Sequence, residues 1–256
     1  MIDRYGKYSF LIVIILAAIS CSCGSQPPEV RFEQANSKGD KLAEENRCKD
    51  AVKEYHKAIK INDRVSSTYR KIANCFLKME MVDSAVTYYE GAIIHNPRDI
   101  MAYQDVGDIY FNRQMYHEAM TWYDRALQIG HISAQSYVKL GRIHQSWGDN
   151  DMAKNYFDLA LAADSTNNEA LFGVAAIAWI QGDTATAIAD YSKAAEEGPN
   201  ALAAYRLGMI YARQKKYDDA LQWLDKCMKL EPDSELSAEA YQSKMEIIVR
   251  MKEGQK

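Results

Sequence analysis

The side chains able to do chemistry are present in this chain, but their spacing assembles few sites. Five histidines stand at 56, 95, 117, 131 and 144, never as the i, i+4 pair that holds a metal on one helix face. No H-E-x-x-H, G-x-S-x-G or phosphate-cradling glycine loop occurs. Carboxylates are abundant, but they fall on prospective helix faces and in turns, where solvated side chains belong. Among the five cysteines, Cys48, Cys75 and Cys227 lack metal-ligand spacing, and their number does not suit a disulfide scaffold. Cys48 reads as a turn residue and Cys75 as a helix residue, and whether they pair stays open. No catalytic residue, metal ligand or cofactor site is assigned, and the chain is expected not to be an enzyme. Cys21 and Cys23 are different in kind. They follow Arg4, Lys7 and an apolar run from Phe10 to Ile19.

A charged start, a short apolar core and a small-residue exit describe a secretory signal. The run is short for a membrane span, which needs about 20 residues. Ala18-Ile19-Ser20-Cys21 resembles the lipobox of bacterial lipoproteins, and Cys21 fits it better than Cys23, which lacks the aliphatic residue at the first position. The resemblance implies a signal peptide over 1–20, lipidation of Cys21, and a lipid-anchored tether over 21–31. It also implies the cell envelope. Serine after the cysteine and the absence of an acidic run favour the outer membrane, facing the periplasm.

The remainder must position whatever the chain binds, and it is repetitive. Alanines recur at 51, 85, 119, 153 and 187, each 34 residues after the last, with Ala220 after 33. Four residues beyond each stands a large side chain: Tyr55, Tyr89, Tyr123, Phe157, Tyr191 and Leu224. Three further on comes a small one: Ala58, Ala92, Ala126, Ala160, Ala194 and Cys227. Twelve before each alanine is another: Gly39, Ala73, Gly107, Gly141, Ala175 and Gly208. Small residues let two helices approach and large ones fill the space beside them, while the 3.6-residue period keeps one face inward. Cys227, in a small packing position, is expected to be buried and inert, and His144, in an aromatic position, to be structural.

This pattern resembles the tetratricopeptide repeat. The resemblance implies an all-α, right-handed α-solenoid of six helix–turn–helix repeats over 32–234 (32–65, 66–99, 100–133, 134–167, 168–200 and 201–234). Pro97, Pro199 and Pro232 sit at the family's repeat-ending proline. Residues 235–256 read as a C-terminal capping helix and tail, with Leu236, Tyr241, Met245, Ile248 and Met251 as the apolar stripe.

In that family the first helix of each repeat lines a concave groove. The corresponding positions are polar early in this chain (Arg70, Asn74, Lys78, Gln104, Asp108, Asn112, Arg142, Gln145) and apolar late: Phe172, Ala176, Trp179, Ile180, Leu202, Tyr205 and Met209. The late set is the expected protein-binding groove, because apolar patches rimmed by polar groups accept a partner's helix or extended segment. The C-terminal helix or a second copy of the chain could cover it instead. Arg70, Asn74 and Lys139 match part of a peptide-carboxylate clamp known in the family, but Asp105 and Gln135 replace its asparagine and lysine, so no clamp is expected. A net charge of −4 leaves no basic footprint for nucleic acid. The expected partners are proteins in the groove and a membrane through the lipid, with homo-oligomers possible. The plan is similar to envelope lipoproteins of the pilotin and NlpI types, which implies a scaffold or adaptor role, or assembly of an outer-membrane secretin or pilus system.

Overall fold

The structure, a computed structural model, describes residues 26–198 and 200–253. The expected signal peptide, Cys21, Cys23 and Pro199 lie outside the described residues. These contain thirteen α-helices and no strands: α1 (Pro28–Glu44), α2 (Cys48–Ile61), α3 (Ser66–Lys78), α4 (Val82–His95), α5 (Ile100–Asn112), α6 (Tyr116–Ile129), α7 (Ala134–Ser146), α8 (Asn150–Ala163), α9 (Asn168–Ile180), α10 (Thr184–Glu197), α11 (Ala201–Arg213), α12 (Tyr217–Leu230) and α13 (Glu235–Glu253). They form two compact units, one up to His131 and one from Ile132. Unit 1 holds the hairpins α1–α2, α3–α4 and α5–α6. Unit 2 holds α7–α8, α9–α10 and α11–α12, with α13 packed on α11 and α12.

Each hairpin is closed by the small-to-large pairing seen in the sequence. A Cβ placed on Gly39, Gly107 or Gly141 would lie 2.4, 2.6 or 2.7 Å from the ring of Tyr55, Tyr123 or Phe157. Gly208 stands in the same relation to Leu224, at 2.8 Å. The partner of each small residue is the large residue sixteen positions on, and every one of those large side chains is buried. Burial of each stabilises the hairpin by about 1.5–3 kcal/mol. The alanines four residues before them and three after are fully buried, as is Cys227.

The turn between the two helices also repeats. Asn46, Glu80, Gln114, Gly148, Gly182 and Lys215 all have positive φ, the left-handed conformation that reverses the chain after a helix. Glycine accepts it without strain at 148 and 182; the other four hold it against a side-chain clash.

Two boundaries differ from expectation. Helix α1 begins at Pro28, so residues 28–31, expected in the tether, form its first turn. Proline fits there because the first helical N–H needs no partner. Cys48 is not in the turn. It is the first residue of α2 and is buried.

Candidate functional site

The first helices of the two units present different chemistry. In unit 1 the second-helix tyrosines are anchored by polar groups on the first helix, fifteen residues earlier. The Tyr55 hydroxyl donates to Asp40 Oδ1 at 2.8 Å and the Tyr123 hydroxyl to Asp108 Oδ1 at 2.6 Å. The Tyr89 hydroxyl donates to Asn74 Oδ1. Burial raises the pKa of all three phenols, so each stays a donor. Lys71 Nζ meets Asp40 at 2.8 Å.

Arg70 is occupied as well. Its Nε meets Asp105 Oδ2 at 3.3 Å and its Nη1 meets Asp99 Oδ1 at 3.6 Å. Burial nonetheless pushes the Asp105 carboxyl up to about 6, against the opposing pull of Arg70. Arg70 and Asn74, the clamp-compatible residues of unit 1, are thus committed to partners within the fold. The spacing Asp40, Asn74, Asp108, 34 residues apart in each case, was available in the sequence, but it acquires meaning only when paired with the tyrosines fifteen residues on.

In unit 2 the fifteen-residue partners of Phe157, Tyr191 and Leu224 are Arg142, Ala176 and Met209, and the polar ladder is gone. Helix α9 (NEALFGVAAIAWI) is apolar nearly all round. One side, with Ala170, Leu171, Val174, Ala175, Ile177 and Ala178, is buried in the core. The other carries Phe172, Ala176 and Trp179, which are half-buried, and Ile180, which is 62% exposed. On α11, Leu202 is 38% exposed and Tyr205 and Met209 are half-buried.

The structure brings these seven residues to adjoining helices but not into one cavity. Phe172 and Leu202 line a cavity of about 360 Å³ with Arg142, Gln145, Glu169 and Asn200. Trp179, Tyr205 and Met209 line a second, of about 120 Å³, with Tyr191, Arg206 and Arg213. Ile180 and Ala176 line neither. The rims are polar: Arg142 meets Glu169 at 3.7 Å across two exposed side chains, and the Arg213 guanidinium lies 5.3 Å from the centre of the Trp179 ring. No residue of α13 lines either cavity. That helix packs through Ser237, Ala240 and Ile247, so it does not fill this face.

His144 is 8% exposed and stacked on Tyr156 with ring centres 5.3 Å apart, and its Nδ1 is 3.2 Å from Asp149. Its place in the aromatic packing is that of a structural residue. Cys227 is fully buried and its thiol is pushed up to about 11 by burial, which makes it a poor nucleophile. Among the described residues no group of three or more His, Cys, Asp or Glu could hold a metal ion, and no helix is long and apolar enough to cross a membrane.

Comparison with known proteins agrees with this architecture. Tetratricopeptide repeat family models match residues 70–136, 138–201 and 201–234. No curated protein sequence matches the chain. Among solved structures, Pseudomonas aeruginosa pilF is similar at 17% identity and a TM-score of 0.69, over 83% of this chain and 97% of that one. PilW, described as a widely conserved type IV pilus biogenesis factor, is similar at 15% identity and a TM-score of 0.65, over 82% and 98%. YrrB, described as a tetratricopeptide repeat protein with an unusual peptide-binding site, is similar at 25% identity and a TM-score of 0.59, over 73% and 97%. With the repeat register, the small-to-large pairing and the family models in agreement over more than half its length, the chain belongs to the tetratricopeptide repeat family.

Proposed function

We propose that this chain is a lipid-anchored, non-enzymatic scaffold of the bacterial envelope, which holds partner proteins on the first-helix face of unit 2. The observation that carries the reading is α9. It buries one apolar side in the core, packs Phe172 and Trp179 half-buried against that core and still leaves Ile180 62% exposed, as α11 leaves Leu202 38% exposed, apolar surface that folding does not use. Trp179 and Tyr205 are residue types that dominate binding energy at protein interfaces, and the Arg142, Glu169, Arg206 and Arg213 rim supplies orientation. The ligand suited to it is an amphipathic helix or extended segment with two apolar anchors, one for each cavity. Lipidation at Cys21 would hold this face near one membrane.

Co-purification from the native envelope tests this. The intact chain is compared with an Ile180→Asp, Leu202→Asp variant, chosen because these two are the most exposed of the seven and cost the core least. Recovery of a discrete partner with the first and its loss with the second, at unchanged helicity, is the expected result. Equal recovery with both would reject the face.

A second reading, that the chain is a pilotin-like assembly factor, draws support from the near-complete overlap with pilF and PilW. It predicts that the captured partner is a secretin subunit and that deletion abolishes assembly of the secretin pore. An adaptor predicts capture of cell-wall enzymes and altered enzyme turnover.

A further inference from the structure

The three described cysteines are unevenly placed. Cys227 is in the core of unit 2, and the other two are in unit 1, in one core cluster with Ala51, Val52, Tyr55 and Ile72. Cys48 opens α2 and Cys75 lies in the last turn of α3, on packed helices of successive hairpins. Both thiols are free and buried in that one cluster.

The repeat register shows what stands at this contact elsewhere. One repeat on, the equivalents of Cys48 and Cys75 are Val82 and Ile109, which share the next cluster of the core. Further equivalents of Cys75 are Ile143, Ile177 and Ile210, all buried. The Cys48 position varies along the array (Val82, Tyr116, Asn150, Thr184 and Tyr217), whereas cysteine at 75 stands in place of that recurrent isoleucine, and the two cysteines share a cluster in one repeat only. A single cysteine here would be a small hydrophobe. Two in one cluster can be joined by oxidation.

We propose that Cys48 and Cys75 are a disulfide site that covalently ties the first hairpin to the second. The proposal takes from the reading above only that the domain reaches an oxidising compartment, where such bonds form and persist. The step is thiol–disulfide exchange with a protein or glutathione disulfide as oxidant. One thiolate attacks that disulfide and releases a thiol; the second thiolate attacks the mixed disulfide and releases the other. One S–S bond is broken and one formed, the oxidant gains two electrons, and its two leaving sulfurs take up the two protons.

Burial and the neighbouring Cys48 push the Cys75 thiol up to about 12. The reaction therefore belongs to folding, before the hairpins dock, rather than to the finished core. Cys75 also lies at the edge of a cavity of about 580 Å³ walled by Asp40, Tyr55 and Lys71. The bond would add a covalent tie to the Lys71–Asp40 and Thr68–Asn36 contacts between these hairpins, in a region where no side-chain cap is made at α1, α2, α3 or α4.

The test uses the full chain taken from the envelope with free thiols alkylated at lysis, then digested with trypsin without reductant. The expected product is a linked pair of the peptides Cys48–Lys49 and Ile72–Lys78, two hydrogens lighter than their sum. It should vanish with dithiothreitol and in Cys48→Ala or Cys75→Ala. The oxidised wild-type chain should melt roughly 5 °C or more above the same chain reduced. Recovery of both peptides in alkylated form overturns the proposal. Refolding the reduced full chain in a glutathione buffer then locates the failure. If the pair links there, export is the mistaken premise; if it does not, the geometry is wrong and the export reading stands.

Discussion

Units 1 and 2 are built on one hairpin with two different interiors. Unit 1 ties its large second-helix side chains to the first helix by hydroxyl-to-carboxylate or hydroxyl-to-amide bonds at Tyr55, Tyr89 and Tyr123. Unit 2 drops those bonds and presents apolar side chains on the same face of α9 and α11, while α7 keeps Arg142 and Gln145 there. It caps its helices instead: Ser133, Asp149, Asn167, Asp183 and Asn200 each accept a backbone N–H at the start of α7 to α11. In unit 1 only α5, capped by Asp99, has this device. The contrast teaches that the packing register fixes the hairpin, while the outward side of the first helix is free to vary. Where it is polar, the polarity is consumed internally. Where it is apolar, it is the face proposed above for a partner.

The register itself should be the hardest feature to break, and equally so in both units. Gly107→Val in unit 1 and Gly141→Val in unit 2 each drive a side chain into an aromatic ring, and each should cost about 3 kcal/mol or lower the folded yield outright. Urea denaturation of the two variants checks the equality. A tolerated substitution in one unit would mean that its hairpins close differently.

The tyrosine bonds sharpen the difference. Tyr55→Phe and Tyr123→Phe should each lose about 1–2 kcal/mol, because a first-helix carboxylate loses one of its hydrogen-bond donors. Tyr191→Phe should change stability by less than about 0.5 kcal/mol, since Ala176 stands where the acceptor would be. Thermal denaturation of the three single variants compares them directly.

Capping offers a change in the opposite direction. Met115 occupies the N-cap of α6 and makes no side-chain bond there, whereas its unit 2 counterparts Asp149 and Asp183 do. Met115→Asp should add about 1 kcal/mol, and Asp183→Ala should remove about as much.

The smallest effect is one of pH. The folded Asp105 carboxyl, at about 6, sits above its ordinary value of 3.8, so the folded chain holds this proton more tightly than the unfolded one. The resulting stability is complete below about pH 4 and is lost as pH rises through about 6. A shallow downward slope in the urea midpoint across that window is expected, and Asp105→Asn should flatten it.

Much of this was legible in the sequence, because repetition makes packing visible. The positions of the small residues and of Tyr55 through Leu224 follow from one 34-residue period, and six copies of a pattern outweigh any local ambiguity. The apolar run Phe172, Ala176, Trp179, Ile180 was also legible as a second helical stripe, three of whose members border the core while Ile180 is exposed. Internal pairing was not. The commitment of Asp40 and Asp108 to tyrosines, and of Arg70 to Asp99 and Asp105, depends on side chains from different helices converging, and a list of carboxylates on helix faces gives no sign of it. The position of Cys48 was missed for a similar reason. A turn was expected where α2 begins, and helix starts without a capping residue carry no local mark. The division of the late face into two cavities, one lined by Arg142 and Glu169 and the other by Arg213, depends on side-chain placement that spacing does not encode.

The central claim is that the face left unsatisfied in unit 2, and not its polar counterpart in unit 1, receives the partner. A photoreactive phenylalanine analogue placed at Leu202, and separately at the exposed Asn112 on the first-helix face of unit 1, tests it in living cells. Irradiation should give a discrete protein adduct from position 202 and none from 112. An adduct from 112 with none from 202 would contradict the account and move the binding site to unit 1.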